Sequence, residues 1–179
     1  MTSEVMTGCP GPGRSRRVGG VTKAVQDLMI AVERVHDAVR AALVAGGPVA
    51  HLLDDAATLE LLPAGTGAAG PAEIERFGTE GFVVPDDAAF RRVSRTGDRF
   101  RVADEEILSF THDREMPWLL PGVAPTGRRA EILLVTLTTV KRGRVARMRM
   151  LADGVALAEA LGLAGGLGLE PAATARPAG

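Results

Sequence analysis

The segment from Phe100 to Asp153 most constrains the fold. It contains three runs rich in aliphatic and β-branched residues, Phe100–Asp113, Glu131–Val140 and Arg144–Asp153. A Pro/Gly loop separates the first two, and only Lys141-Arg142-Gly143 separates the last two. Such runs bounded by turn residues predict strands, and the short glycine-containing link predicts a hairpin. Within the last run, Arg147-Met148-Arg149-Met150 alternates charged with apolar residues, the period of two that places neighbours on opposite sheet faces. Met148, Met150 and Ala152 are therefore expected to face a core or cavity. Arg147 and Arg149 are expected to face water or a partner subunit.

Ahead of this sheet, Val25, Leu28, Met29, Val32, Val35, His36, Val39 and Leu43 recur at three-and-four spacing, which predicts one amphipathic helix of about six turns. Thr22 is its expected N-cap and Gly46-Gly47-Pro48 its stop. A short helix near Pro48, a strand at Thr58–Leu62, a Gly/Ala loop, a helix opened by Pro71 and a strand at Phe90–Arg95 follow. After Asp153, the spacing of Val155, Leu157, Ala158 and Leu161 predicts a short closing helix. Helices against a mostly antiparallel sheet make an α+β fold. A chain of 179 residues suits a single domain, placed at 21–163. Residues 1–20 and 164–179, poor in large apolar groups, are expected to be a disordered leader and tail.

The formal net charge is −1, with acids and bases mixed throughout. This balance gives no electrostatic reason to expect nucleic acid or an anionic membrane as partner. No apolar run approaches bilayer length, so no membrane-spanning segment is expected. Cys9 has no second cysteine to pair with, and a cytoplasmic location is the simplest expectation. Ser15-Arg16-Arg17 is followed by Lys23 and Asp27, where an export signal needs an uncharged apolar stretch. The scattered histidines show no metal-ligand spacing and the glycine-rich stretches lack the lysine of a phosphate loop, so neither metal nor cofactor is expected.

Four groups of residues carry a family resemblance: Phe110-Thr-His-Asp113, the stretch Trp118 to Arg128 with its Pro-Thr-Gly-Arg loop, Lys141-Arg-Gly-Arg144, and Asp153 followed by Leu157 and Leu161-Gly-Leu163. They resemble the SnoaL-like polyketide cyclases of the nuclear transport factor 2-like superfamily, which also contains ketosteroid isomerase, scytalone dehydratase and limonene epoxide hydrolase. The resemblance covers roughly residues 22–163. It implies a cone-shaped α+β barrel, a curved antiparallel sheet wrapped around the long N-terminal helix, with a deep apolar pocket. It also implies a homodimer through the outer sheet face and a small apolar polyketide-like substrate. Departures are equally informative. Many such cyclases place His and Asp two residues apart on the final strand, where this chain has Met148 and Met150. Isomerase-type members put a carboxylate base on the first strand, where this chain has Leu61. Neither methionine nor leucine transfers protons.

Catalytic candidates are therefore sought elsewhere, at His36, Glu106, His112 and Asp113. His36 lies on or beside the helix stripe, where it either reaches a cavity as donor or base, or is half-buried against a backbone carbonyl. Asp104, Glu105 and Glu106 form an acidic cluster on a strand; alternation puts Asp104, Glu106, Leu108, Phe110 and His112 on one face. Charged strand residues usually face water, which favours a solvated edge over a base of raised pKa. His112-Asp113 falls where strand becomes loop, either at a cavity mouth or as an exposed imidazole beside a turn aspartate. Asp153 fits an ion pair or a helix N-cap. Trp118, with Met116 and Leu120 nearby, reads as a lid or wall over a hydrophobic pocket, with plain core packing as the alternative. The expected substrate-binding set is Val32, His36, Leu61, Met116, Trp118, Leu120, Met148 and Met150.

Three functions compete. A cyclase whose proton-transfer positions are apolar points to ring closure by shape, such as an intramolecular cycloaddition, where alignment alone is worth several kcal/mol and methionines suit an adaptable mould. An acid–base enzyme would instead use His36, Glu106 or His112-Asp113 for isomerisation, dehydration, aldol cyclisation or epoxide opening. A non-catalytic binding or dimerisation module is the third. A homodimer is expected in addition, because apolar side chains occupy both faces of Glu131–Val140 and one helix covers only one of them.

Overall fold

A computed structural model describes residues 19–163. The disordered leader and tail expected at 1–20 and 164–179 therefore lie almost wholly outside the described residues, and Gly19 and Gly20 belong to a helix. Helix α1 spans Gly19–Ala45 and is followed by a short 3-10 turn at Ala50–Leu52. Strands β1 (Leu53–Leu62) and β2 (Thr66–Ala69) precede helix α2 (Pro71–Arg76), which runs on into a wider turn at Phe77–Gly81. Strands β3 (Ala89–Gly97), β4 (Arg101–Thr111), β5 (Arg129–Lys141) and β6 (Arg144–Ala152) lead to helix α3 (Gly154–Leu161).

Thr22 lies inside the first turn of α1 and is not its N-cap. The apolar stripe is buried only from Val32 onward, through His36, Val39 and Leu43, while Leu28 is 51% exposed. At the far end Gly46 adopts φ +62°, a left-handed conformation open to glycine at little cost. It lets the Gly46 and Gly47 N–H groups return to the carbonyls of Leu43 and Ala42.

The six strands form one curved, unclosed sheet in the order β2-β1-β6-β5-β4-β3. Neighbouring pairs are antiparallel except β1 and β6, which run parallel, so the sheet is mostly antiparallel, as expected, with its one parallel seam where the last strand meets the first. β1 is also twice the expected length, with a register irregularity between Leu53 and Thr58 that leaves Asp55 and Ala56 exposed. The Gly/Ala stretch expected to be a loop is β2. Its Gly67 lies so close to β1 that a Cβ there would sit 2.2 Å from the Leu59 carbonyl oxygen, so the residue that reads as a loop signal is what allows the strands to meet.

Burial divides the sheet into two faces. On β4 and β5 the even-numbered residues from Val102 to Phe110 and from Ala130 to Val140 are buried, and α1 lies against this inner face across β4, β5 and β6. Met148 and Met150 are also inward, each 2% exposed, as the alternation of β6 requires. On the outer face Leu133 and Leu137 are 43% and 37% exposed. Arg147 and Arg149 also point outward, and both pair with Glu60. Asp153 is the N-cap of α3, accepting from the Val155 and Ala156 N–H groups at 3.1 and 3.0 Å. No described helix is long and apolar enough to cross a membrane.

Candidate active site

The inner face has a polar half on β4 and β5 and an apolar half on β1 and β6. Period-two alternation on β4 and β5 turns Asp104, Glu106, Thr136 and Thr138 inward, and α1 contributes His36. Asp104 and Glu106 are 1% and 5% exposed, so the expectation of a solvated acidic edge is overturned for both; only Glu105 of that cluster is exposed. The reason is that cations from adjacent elements satisfy them, which permits burial of a charge that would otherwise stay in water.

His36 is fully buried, and neither ring nitrogen bonds a backbone carbonyl. Its Nε2 lies 3.0 Å from Asp104 Oδ2 and its Nδ1 2.8 Å from Thr138 Oγ1. Burial pushes its pKa below the ordinary 6.5, although the Asp104 carboxylate pulls the other way. In the resulting neutral ring, Nε2–H donates to Asp104 and Nδ1 accepts from the Thr138 hydroxyl. Burial would raise the Asp104 pKa, but the hydrogen bonds from Arg95 and His36 more than offset it and hold the carboxyl below its usual range. Arg95 on β3 donates through Nε and Nη2 to the two Asp104 oxygens, each at 2.6 Å, and through Nη2 to Asp37 at 2.6 Å. Beside this network Arg40 pairs with Glu106 and lies 4.6 Å over the Phe90 ring. Burial dominates at Glu106, whose pKa is raised despite Arg40.

His36, Asp37 and Asp104 each offer a donor atom within 4.8 Å of one another, a grouping able to hold a metal ion. The Arg95 guanidinium bonds both carboxylates, so the protein's own cation takes the charge-neutralising place an ion would occupy.

The apolar half centres on a cavity lined by Leu61, Trp118, Leu134, Met150 and Leu157 among others. About 10 Å³ there is open to the centre of a water molecule, room for roughly one water. Trp118 is 1% exposed; its indole N–H donates to the Val83 carbonyl at 2.7 Å and its ring stacks on Phe82 at 4.4 Å. It is therefore both a wall of the cavity and a packed core residue. Met116, Leu120 and Met148 are buried in the same core but do not line this cavity. Val32 is on the inner stripe of α1, one turn before His36.

His112 and Asp113 part company. His112 is fully buried. Its Nδ1 accepts from the Thr126 backbone N–H at 3.3 Å, which places the ring proton on Nε2, and that nitrogen has no partner among the described residues. Asp113 faces water and pairs with Arg114 at 2.8 Å. Thr136 Oγ1 is likewise buried without a partner among the described residues. It sits where the halves meet, opposite Asp104 on one side and Met150 on the other. Sequence reasoning did not single out Arg95, Asp37, Thr138 or Arg40. The parity of β4 grouped Asp104 and Glu106 with Leu108 and Phe110, but the opposite face is no more polar, so the pattern alone favoured a solvated edge where the structure buries both.

Comparison with solved structures places this architecture. A candidate SnoaL-like polyketide cyclase from Jannaschia sp. CCS1 superimposes with a TM-score of 0.62 at 17% identity, covering 76% of this chain and 94% of that one. The chain has the nuclear transport factor 2-like fold. TsrD from Streptomyces laurentii matches with a TM-score of 0.59 at 16% identity over 74% and 96% of the two chains. IdmH from Streptomyces antibioticus, described as a candidate polyketide cyclase, matches at 0.54 and 21% over 73% and 98%. No protein-family model and no curated protein matches the sequence. At these identities the likeness establishes the nuclear transport factor 2-like cone, whose inner face here carries the His36–Asp104 pair.

Proposed function

We propose that this protein is a small-molecule enzyme of polyketide-type natural-product metabolism that closes or rearranges a ring by acid–base chemistry, with His36 as the base. The observation that carries this reading is the buried His36–Asp104 pair with Thr138 on the other ring nitrogen. A neutral imidazole has a basic lone pair at Nδ1, and the Asp104 carboxylate at Nε2–H stabilises the imidazolium once a proton is taken. A substrate O–H or acidic C–H replaces the Thr138 hydroxyl at Nδ1. Likeness to candidate polyketide cyclases supports the substrate class. The apolar cavity holds about one water and is not lined by His36, so for a substrate to reach Nδ1 the side chains between Met150 and Thr138 must move apart, which an unbranched methionine does readily.

The test is the dependence of rate on pH with a polyketide-type ketone substrate. His36 must be neutral to act, so the acid limb is expected below pH 6.5, in line with its lowered pKa. His36→Asn is expected to lower kcat by about 100-fold or more. A flat profile with a mild His36→Asn effect overturns this reading in favour of a second, ring closure by cycloaddition against an apolar mould. That reading is favoured by the absence of any titratable group among the residues lining the Met150 cavity.

The protein is further proposed to work as a homodimer through the outer face, where Leu133 and Leu137 lie exposed beside the half-buried Val135. Sedimentation is expected to give twice the chain mass at micromolar concentration; a monomer there counts against it.

A further inference from the structure

We propose that the two adjoining turns at one end of the sheet form a docking surface for an acidic amphipathic helix of another protein. The β3–β4 turn brings Arg99, Phe100 and Arg101 beside the β5–β6 turn with Lys141, Arg142 and Arg144. The two are joined by a hydrogen bond from the Val140 N–H to the Phe100 carbonyl at 2.7 Å. All five cations are exposed, and none makes an ion pair among the described residues. The nearby acid, Asp98, turns its carboxylate onto the Phe100 and Arg101 N–H groups of its own turn. Like charges gathered without partners repel one another, so the cluster works against the folded state until an anion covers it. Arg142 adds a second sign: it holds φ +52°, a conformation that glycine or asparagine adopts far more readily than arginine.

Shape selects the partner. Next to the cations lies a hollow of about 390 Å³ between this turn and α1, with Val25, Met29 and Phe100 as its apolar walls and Asp98 and Arg99 on its polar side. Phe100 is 53% exposed, and it offers an apolar seat for a side chain such as leucine. The ring is already covered on one face by the Arg99 guanidinium at 4.8 Å, which favours an inserted aliphatic group over a stacked base. The net charge of −1 also disfavours a long polyanion. An acidic helix with one apolar face meets both features. The chain's own leader does not: residues 1–18 carry Arg14, Arg16 and Arg17 against Glu4 alone.

The experiment is fluorescence anisotropy of the full chain with three probes: a labelled 18-residue Glu/Leu amphipathic helix, a 20-base-pair DNA duplex and phosphatidylglycerol vesicles. The helix is expected to bind tightest and to weaken about tenfold or more in the double variant Arg99→Glu/Arg142→Glu. Phe100→Ala is expected to weaken it about threefold to tenfold without changing the salt dependence. All three substituted residues are exposed, and thermal melts are expected to match the parent's, as the check that each variant folds. No binding of the helix, tighter binding of DNA or vesicles, or indifference to the double variant overturns the proposal.

Discussion

Replacing Arg95 with leucine is expected to destabilise the fold by about 3–5 kcal/mol at pH 7, because removing one partner of a buried ion pair strands the other. The side chains of Arg95 and Asp104 are 16% and 2% exposed, and their closest atoms lie 2.6 Å apart. Without the guanidinium, Asp104 keeps only the His36 N–H. The pH dependence carries the diagnosis. In the parent, the Asp104 pKa is below 3.8 in the fold, so its stabilisation is present above 3.8 and lost as pH falls through the folded value. In the variant that contribution is absent and the carboxyl protonates more readily, so the two stability curves should converge in acid. His36, also lowered in the fold from 6.5, costs the parent stability as pH falls below 6.5. Glu106 runs the other way: with its pKa raised above 4.5, the stabilisation is present below 4.5 and lost as pH rises through the folded value. Urea titrations of both proteins from pH 3 to 8 measure these effects. A deficit under about 1 kcal/mol, the range of exposed pairs, means that water reaches Asp104 and that the polar half is not a dry site.

Met150→Asp is expected to cost about 2–4 kcal/mol at neutral pH, the penalty for a poorly paired polar group in an apolar wall. Met150 is 2% exposed, opposite Leu61 on β1 and Thr136 on β5. Desolvation raises the new carboxyl's pKa in the fold, so the deficit should be largest above that pKa and shrink as pH falls and the group becomes neutral. The Thr136 hydroxyl, without a partner among the described residues, is placed to bond the new group and moderate the loss. Met150→Leu, nearly equal in volume, is expected to cost under about 1.5 kcal/mol while altering product ratio through cavity shape. Thermal melts at pH 4.5 and 7.5 and product analysis check both variants. A Met150→Asp protein as stable as the parent at pH 7.5 would mean that Met150 lies against solvent.

Much of the architecture was legible because periodicity is local. The α1 stripe, the β5–β6 hairpin and the inward turn of Met148 and Met150 all follow from side chains alternating on a backbone whose geometry is set residue by residue. Resemblance in the Trp118–Arg128 loop and its spacing to the hairpin supplied the cone. Two features misled the reading for the same reason. Gly67 reads as a loop signal until β1 is beside it, and Asp104 reads as solvated until Arg95 and His36 are.

What the sequence determined, then, is which residues share a face. Which groups meet across the interior was decided by the tertiary structure alone. His36 reaches Asp104 across 68 positions and Thr138 across 102, and β1 joins β6 in parallel through residues such as Leu61 and Met150, too far apart in the chain for a local pattern to register the pairing. The physical reason is that burying a charge or pairing an edge strand is favourable only when a distant partner arrives, and that arrival depends on how the whole sheet curves around α1.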